Sequence, residues 1–306
     1  MQIVTENTRF AGQNVIALGM FDGLHRAHRQ ILAEARQVAQ AGGMHSLVYT
    51  FSSLPSAYFG GEREMLFSPE EKARAVAAMG IDYLAMRPFD REIAEQSREE
   101  FARSLLERYR GGVWIAGYNF TFGRGAAGDA AYLSDYAAAH GVQCRIVQKM
   151  EQGGDAISST RIRAAVRAGD MPLAAELLGR PYSITGEIVH GREVGRTLGF
   201  PTANLYAAPG KLIPPLGVYI ARLRLENGES YGGITNIGRR PTLHNGADVS
   251  VETNLLDFAG DLYGQRAEVE LLRFVRPERP FADLAALRAA IADNRRQAAA
   301  YFENAE

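Results

Sequence analysis

The stretch Asn14-Val15-Ile16-Ala17-Leu18-Gly19-Met20-Phe21-Asp22-Gly23-Leu24-His25-Arg26-Ala27-His28-Arg29-Gln30 (NVIALGMFDGLHRAHRQ) decides how the first half of the chain is read. An apolar run passes through two glycines into a segment with helical spacing. Residues 15–18 predict a strand, and 28–41 a helix that stops at Gly42-Gly43. Glycines at 19 and 23 relax the backbone as it leaves the sheet. The helix N-terminus offers unpaired N–H groups and a partial positive charge, which suits an anion. His25 and His28 share a helical face there, and imidazoles can donate hydrogen bonds to phosphate oxygens. By itself the pair fits solvated surface histidines better than a binding device. A zinc site prefers a recognisable spacing and a third ligand, and none is evident.

Working outward, the same grammar repeats. Strands are expected at 46–51, 81–86, 112–116 and 142–147, and helices at 99–109 and 130–139. Between them Ser68-Pro69-Glu70-Glu71 reads as a helix start, with Ser68 at N-cap, proline at N1 and Glu71 completing a capping box. Alternating strands and helices mean a parallel sheet covered on both faces, a doubly wound α/β domain. Such sheets bind ligands at the carboxyl ends of their strands.

After about residue 180 the pattern changes. Residues 183–190, 218–225, 230–234, 249–257 and 267–275 alternate or run apolar, and Asn227-Gly228 marks a hairpin. This predicts a small antiparallel barrel or sandwich followed by a helix at 283–302. Residues 160–178 read as two helices joined at Gly169-Asp170. The expected division is 1–180, including this helical linker, and 181–306.

Composition narrows the class. The chain of 306 residues is 46% hydrophobic and 23% charged, an ordinary globular mixture for two domains. A formal charge of −1 argues against nucleic acid as the main partner. The single cysteine, Cys144, excludes an internal disulfide and a cysteine-based zinc site. No secretory signal and no apolar run of membrane-spanning length is read, so a cytoplasmic protein is expected.

Two further stretches carry chemistry. Ile157-Ser158-Ser159-Thr160-Arg161-Ile162-Arg163 puts hydroxyls and two arginines at a helix start, donors that suit phosphate. Gly191-Arg192-Glu193-Val194-Gly195-Arg196-Thr197-Leu198-Gly199-Phe200-Pro201-Thr202-Ala203-Asn204-Leu205 is rich in glycine but is not a P-loop. If extended, Thr202 and Asn204 share a face, and their oxygens are hard ligands suited to Mg2+.

On these motifs the chain resembles the prokaryotic bifunctional riboflavin kinase/FMN adenylyltransferase (FAD synthetase) family. GMFDGLHRAHRQ, GYNFTFGRGAAGD (117–129) and ISSTRIR match its nucleotidyltransferase domain, of the HxGH type. GRTLGFPTANL, Asn236–Thr242, the segment 251–258 and Arg276–Phe281 match its kinase domain. The resemblance implies ATP, riboflavin and FMN as substrates, FMN and FAD as products, and Mg2+. It implies that His25 and His28 stabilise charge on the ATP α-phosphate. Gly19, Phe21, Asp22, Gly23, Ser159, Thr160, Arg161 and Arg163 would hold nucleotide and phosphates. Glu252 would be the base for the ribityl hydroxyl, and Thr202 and Asn204 the Mg2+ ligands. Asn119, Phe122, Gly195, Arg196, Gly199, Arg276 and Phe281 would contact flavin or nucleotide. Four positions depart from the family's first domain: Ala27 stands for glycine, Asn119 for an acidic residue, Leu54 for histidine in a TF-x-PHP element, and Ala126-Ala127 where a loop arginine is usual. The kinase motif also has Asn254 where histidine is frequent. Two readings stay open: an enzyme with both activities, or a riboflavin kinase with a degenerate first domain. A flavin-binding regulator without activity is a third, opposed by the intact GFPTANL and Glu252.

Overall fold

The computed structural model describes residues 1–190, 202–241, 247–258 and 260–304. The chain forms two compact units, Met1–Ser159 and Thr160–Glu306.

In chain order the first unit contains β1 (Gln2–Ile3), β2 (Asn14–Leu18), α1 (Arg26–Gly42), β3 (His45–Phe51), α2 (Pro55–Tyr58), α3 (Pro69–Ala78), β4 (Tyr83–Arg87), α4 (Arg91–Glu95), α5 (Arg98–Glu107), β5 (Gly111–Gly117), α6 (Ala130–Ala139), β6 (Gln143–Val147) and a short hairpin, β7 (Glu151–Gln152) with β8 (Asp155–Ala156). Strands β1 to β6 form one parallel sheet in the order β1-β4-β3-β2-β5-β6. Period-two alternation along buried strands feeds two cores. Val15 and Ala17 pack with Leu32 and Ala35 of α1 and Val76 of α3. Ile16 and Leu18 pack on the other face with Phe101 and Leu105 of α5 and Leu133 of α6. The chain builds β3 and β4 to one side of β2, then returns to place β5 on the other. That reversal opens a crevice at the carboxyl ends of β2 and β5. The histidine loop follows β2 and the GYNF element begins at the end of β5.

The expected capping box is present. The Glu71 N–H donates to the Ser68 hydroxyl, and the Glu71 carboxylate accepts from the Ser68 N–H. An equivalent box, Ser97 with Glu100, starts α5 and was not anticipated.

The second unit begins with α7 (Ser159–Ala168, its first residue at the boundary) and α8 (Met171–Leu178). It continues with β9 (Tyr182–Glu187), β10 (Thr202–Tyr206), β11 (Gly217–Leu225), β12 (Ser230–Pro241), β13 (Ala247–Leu255), β14 (Arg266–Pro277) and α9 (Leu284–Glu303). Its six strands are antiparallel in the order β10-β13-β12-β11-β14-β9. The sheet curls until Val189, just past β9, bridges Asn204 of β10, so the last strand in the order meets the first. Helix α9 packs Ile291, Ala298 and Phe302 on Val218, Ile220 and Ile234 of the outer face. The Asn227-Gly228 signal does mark a hairpin. A bond from the Leu225 N–H to the Glu229 carbonyl encloses residues 226–228, with Gly228 at φ +92°, so the loop has three residues rather than two.

Candidate active sites

The first site grows from the exit of β2. A Cβ at Gly19 would lie 2.9 Å from the Phe21 ring, so glycine is what allows that ring to fold back and bury. Phe21 and Leu24 take left-handed φ of 48° and 41°, flanking Gly23 at 76°. Two non-glycine residues in that region cost conformational energy, and such strain persists only where the surroundings over-determine it. Asp22 supplies that constraint. Its carboxylate, wholly buried, accepts from the N–H groups of Leu66 and Phe67, each at 3.0 Å. Asp22 therefore shapes the loop through its side chain. Its carbonyl accepts from the Ser159 hydroxyl at 3.0 Å, which brings the start of ISSTRIR to GMFDGLH. Thr160 is exposed, Arg161 half-buried and Arg163 buried, on the first turns of α7.

His25 is the N-cap of α1. Its Nδ1 accepts from the His28 N–H at 3.3 Å, so a neutral His25 carries its proton on Nε2. The two rings stack 3.6 Å apart, and the Phe21 ring meets His28 edge-on. Desolvation, then the neighbouring His25 and the Lys72 ammonium, hold the His28 pKa well below the usual imidazole range. His28 is thus a neutral imidazole at neutral pH. His28 Nδ1 is buried and has no hydrogen-bond partner among the described residues. An unpaired buried polar atom is costly in a finished core but natural where a ligand completes the bonding. Ala27 lies inside a regular helix and outside the positive-φ region, so its backbone conformation does not call for glycine.

Beside this loop an aromatic cleft of about 260 Å³ opens between the ends of β3 and β5. Tyr49, Phe51, Phe59, Phe89, Phe122 and Ala126 line it with others. Burial raises the Tyr49 hydroxyl's pKa above its ordinary value. Phe122 stacks on Phe120 and leans on Phe101, with ring centroids 5.5 and 4.8 Å apart. Asn119 is exposed at the start of the same loop. Leu54 is buried beneath α2, and Ala126 sits at φ +57°. The aromatics Phe51, Phe59 and Phe89 were not singled out from sequence, since isolated aromatics are usually core.

The second site is a row across the curled sheet. Strand register sets Asn204 opposite Glu252, Glu252 opposite Asn236, Asn236 opposite Val218, and Val218 opposite Arg276. One position along, Thr202 faces Asn254 and Asn254 faces Ile234. Residues two apart on a strand share a face, so these two rows line one surface. All of these except Asn204, with Leu287, Ile291 and Asn294 of α9, line a cleft of about 330 Å³. Glu252 is half-buried at its floor. The Asn204 amide nitrogen donates to the Thr202 carbonyl (3.2 Å) and hydroxyl (3.3 Å). Asn204 Oδ1 is buried and unpartnered among the described residues. Asn236 donates to Glu278 at 3.1 Å. Arg276 donates through Nε to Asn294 at 3.3 Å, and Phe281 lies under the guanidinium groups of Arg276 and Arg279 at 5.4 and 5.2 Å. Burial and Arg279 lower the Arg276 pKa from its usual value. Asn254 Oδ1 accepts from Arg295 of α9, which also donates to the Leu255 carbonyl at 2.8 Å. Asn236 was read only as the start of a family motif and Asn294 not at all, because register, not local pattern, brings Asn236 beside Glu252. Gly195, Arg196 and Gly199 lie outside the described residues.

Each unit thus holds polar groups suited to phosphate beside an apolar cleft sized for part of a planar ligand. The class is an enzyme of nucleotide-dependent group transfer with two separate centres. A riboflavin kinase family model matches residues 178–302, and an FAD synthetase model matches 7–161. The bifunctional riboflavin kinase/FMN adenylyltransferase of Listeria monocytogenes is 35% identical over 95% of this chain and 93% of its own. That of Bacillus subtilis is 34% identical over 95% and 93%. The chain belongs to this bifunctional family. A crystal structure described as a macrolide-efflux protein from Streptococcus pneumoniae is also similar, with TM-score 0.83 and 27% identity over 96% of this chain and 98% of that one. Among the described residues no helix is long and apolar enough to cross a membrane.

Proposed function

We infer that the second unit makes FMN from riboflavin and ATP, and that the first makes FAD and pyrophosphate from FMN and ATP. The observation that carries this is the strand row that sets Glu252 between Asn204 and Asn236 in the cleft under α9. A carboxylate there can take the proton of the riboflavin 5′-hydroxyl as its oxygen attacks the γ-phosphorus and ADP leaves. Arg276 and Phe281 suit the flavin end of the cleft, and Gly195, Arg196 and Gly199 are assigned to phosphate from sequence alone. Thr202 and Asn204 fit Mg2+. Both offer neutral oxygens, and the unpartnered, buried Asn204 Oδ1 is an acceptor with nothing to accept. When bound, the ion would neutralise phosphate charge.

In the first unit an FMN phosphate oxygen would attack the α-phosphorus of ATP, and the bond to the β-phosphate oxygen would break. Such chemistry needs positioning and charge neutralisation rather than a covalent nucleophile. His25 and His28 would hydrogen-bond the α-phosphate. Gly19, Phe21, Asp22 and Gly23 would shape the nucleotide loop, and Ser159, Thr160, Arg161 and Arg163 would hold the outer phosphates. Asn119, Phe122 and the aromatic cleft would take the flavin. We draw the functional division at 1–180 and 181–306. A cytoplasmic monomer or weak oligomer suits these small substrates. The reading in which the first domain has lost its activity is not favoured, because the histidine pair is intact and the relatives carry both names.

Product analysis tests the reading. The purified chain with riboflavin, ATP and Mg2+ is expected to give FMN and then FAD, and added FMN should give FAD directly. FMN without FAD would leave a kinase beside a silent domain. Neither product would reject both assignments.

A further inference from the structure

Lys72, on the first turn of α3, is fully buried, and neither site as described uses it. Its ammonium donates to the Met20 carbonyl at 2.9 Å and to the Phe51 carbonyl at 2.6 Å. Met20 immediately precedes the left-handed Phe21 of the histidine loop. Phe51 ends β3 and lines the aromatic cleft. One ammonium therefore joins the carboxyl ends of two neighbouring parallel strands. One strand leads to the nucleotide loop, the other to the cleft assigned to flavin. We propose that Lys72 is a positioning residue of adenylyl transfer, fixing the histidine loop against the flavin cleft and placing a positive charge beneath the reacting phosphates.

Two arguments favour a role beyond packing. A buried ammonium carries a heavy desolvation cost, which a purely structural tie does not need to incur. Thr50 shows the cheaper solution next door, since its hydroxyl donates to the same Met20 carbonyl at 2.8 Å. The charge also acts on the site. It is one of the causes that depress the His28 pKa, after desolvation and His25. The groups around His28 are the stacked His25, the edge of Phe21 and, through its charge, Lys72 from α3. A neutral His28 keeps a free lone pair and a single N–H, so its hydrogen bonding stays defined as phosphate charge shifts.

The proposal rests on the adenylyltransferase reading of the first unit. The test uses the full chain, with FAD formation from FMN and ATP followed from about pH 5.5 to about pH 9. In Lys72→Met, kcat should fall at least about tenfold while both KM values stay within about threefold. The acid limb of the profile should move up by about half a pH unit or more. Lys72→Arg should keep the wild-type acid limb. Thr50→Val, which removes a neutral tie to the same carbonyl, should leave the limb in place as well. If Lys72→Met does not fold, Lys72→Gln carries the test, because it keeps donors for the two carbonyls without the charge. An unmoved limb in the uncharged variant, or a loss confined to KM, overturns the proposal. A wild-type chain that forms no FAD would sink the adenylyltransferase reading itself. Wild-type FAD formation with an unmoved limb sinks only the role of Lys72.

Discussion

Replacing Asp22 by asparagine is expected to unsettle the whole first site without touching its phosphate-handling groups. Each carboxylate oxygen of Asp22 accepts one backbone N–H, from Phe67 and from Leu66, both at 3.0 Å in a fully buried setting. Asparagine keeps one acceptor and turns an NH2 group toward the other donor. One charge-assisted hydrogen bond is lost, and a buried N–H is left facing another donor, together costing about 2–4 kcal/mol. The unit Met1–Ser159 is of a size where each kcal/mol shifts Tm by roughly 2–4 °C, so its transition should fall by about 5–15 °C. The loop from Phe21 to Leu24 should also relax from its left-handed conformations, lowering FAD formation even well below Tm. Differential scanning calorimetry resolves the stability term, and FMN formation by the second unit in the same sample serves as a reference. A Tm within about a degree of wild type would refute the clamp, since a loss of that size cannot hide in a 159-residue unit. Unchanged stability with FAD formation abolished would instead move Asp22 into the chemistry.

Glu252→Gln should lower riboflavin phosphorylation by about 10²–10⁴-fold, with FAD formation from supplied FMN unaffected; normal FMN production by steady-state assay would remove Glu252 as the base. Ala27→Gly should reduce first-unit stability by about 0.5–1 kcal/mol, the ordinary cost of glycine in a helix, and leave the KM for ATP unchanged; a several-fold fall in that KM would show that the Ala27 methyl obstructs nucleotide. His28 binds its proton less tightly in the fold than in the unfolded chain. The unfolded state therefore takes up the extra proton as pH falls below about 6.5, and the stability present above that pH is progressively lost toward the lower folded value. Urea midpoints for the first unit should accordingly drop between about pH 7.5 and about pH 5.5, and the drop should be smaller in His28→Gln; equal slopes for the two proteins would contradict the assignment.

How much of this was legible in the sequence depended on the range over which each feature is encoded. The alternation of Val15, Ile16, Ala17 and Leu18 between two cores needs only four consecutive residues, and so does the Ser68–Glu71 box. Both were readable because the cause is local. Strand β12 was read as ending at 234, yet it runs to Pro241, through two glycines and a polar stretch that propensity counts against a strand. Pairing with β13 along its whole length overrides that local preference. Asp22 was read as a phosphate-loop residue from its motif. Its partners Leu66 and Phe67 lie more than forty residues away, so only the fold could show that its carboxylate is a buried clamp.

The departures from the family pattern follow the same logic. Leu54 is buried at the N-cap of α2, where a histidine would face the cost of desolvating its ring. Ala126 holds a left-handed φ of 57° next to Gly125 at 65°, so the loop keeps its course there without a longer side chain. Ala27 sits in ordinary helical geometry one residue before His28, whose N–H is already bound by the His25 cap. At Leu54 and Ala27 the local backbone accommodates the substituted residue, whereas any side chain at Ala126 carries the cost of a left-handed φ. The stacked histidines and the buried Lys72 tied to Met20 and Phe51, to which charge handling is assigned above as a proposal, are in place. A motif scored residue by residue counts Ala27, Leu54 and Ala126 as losses. Physically they differ: Ala27 leaves the stacked histidines in place, whereas Leu54 and Ala126 carry none of the polar groups that the family pattern has there.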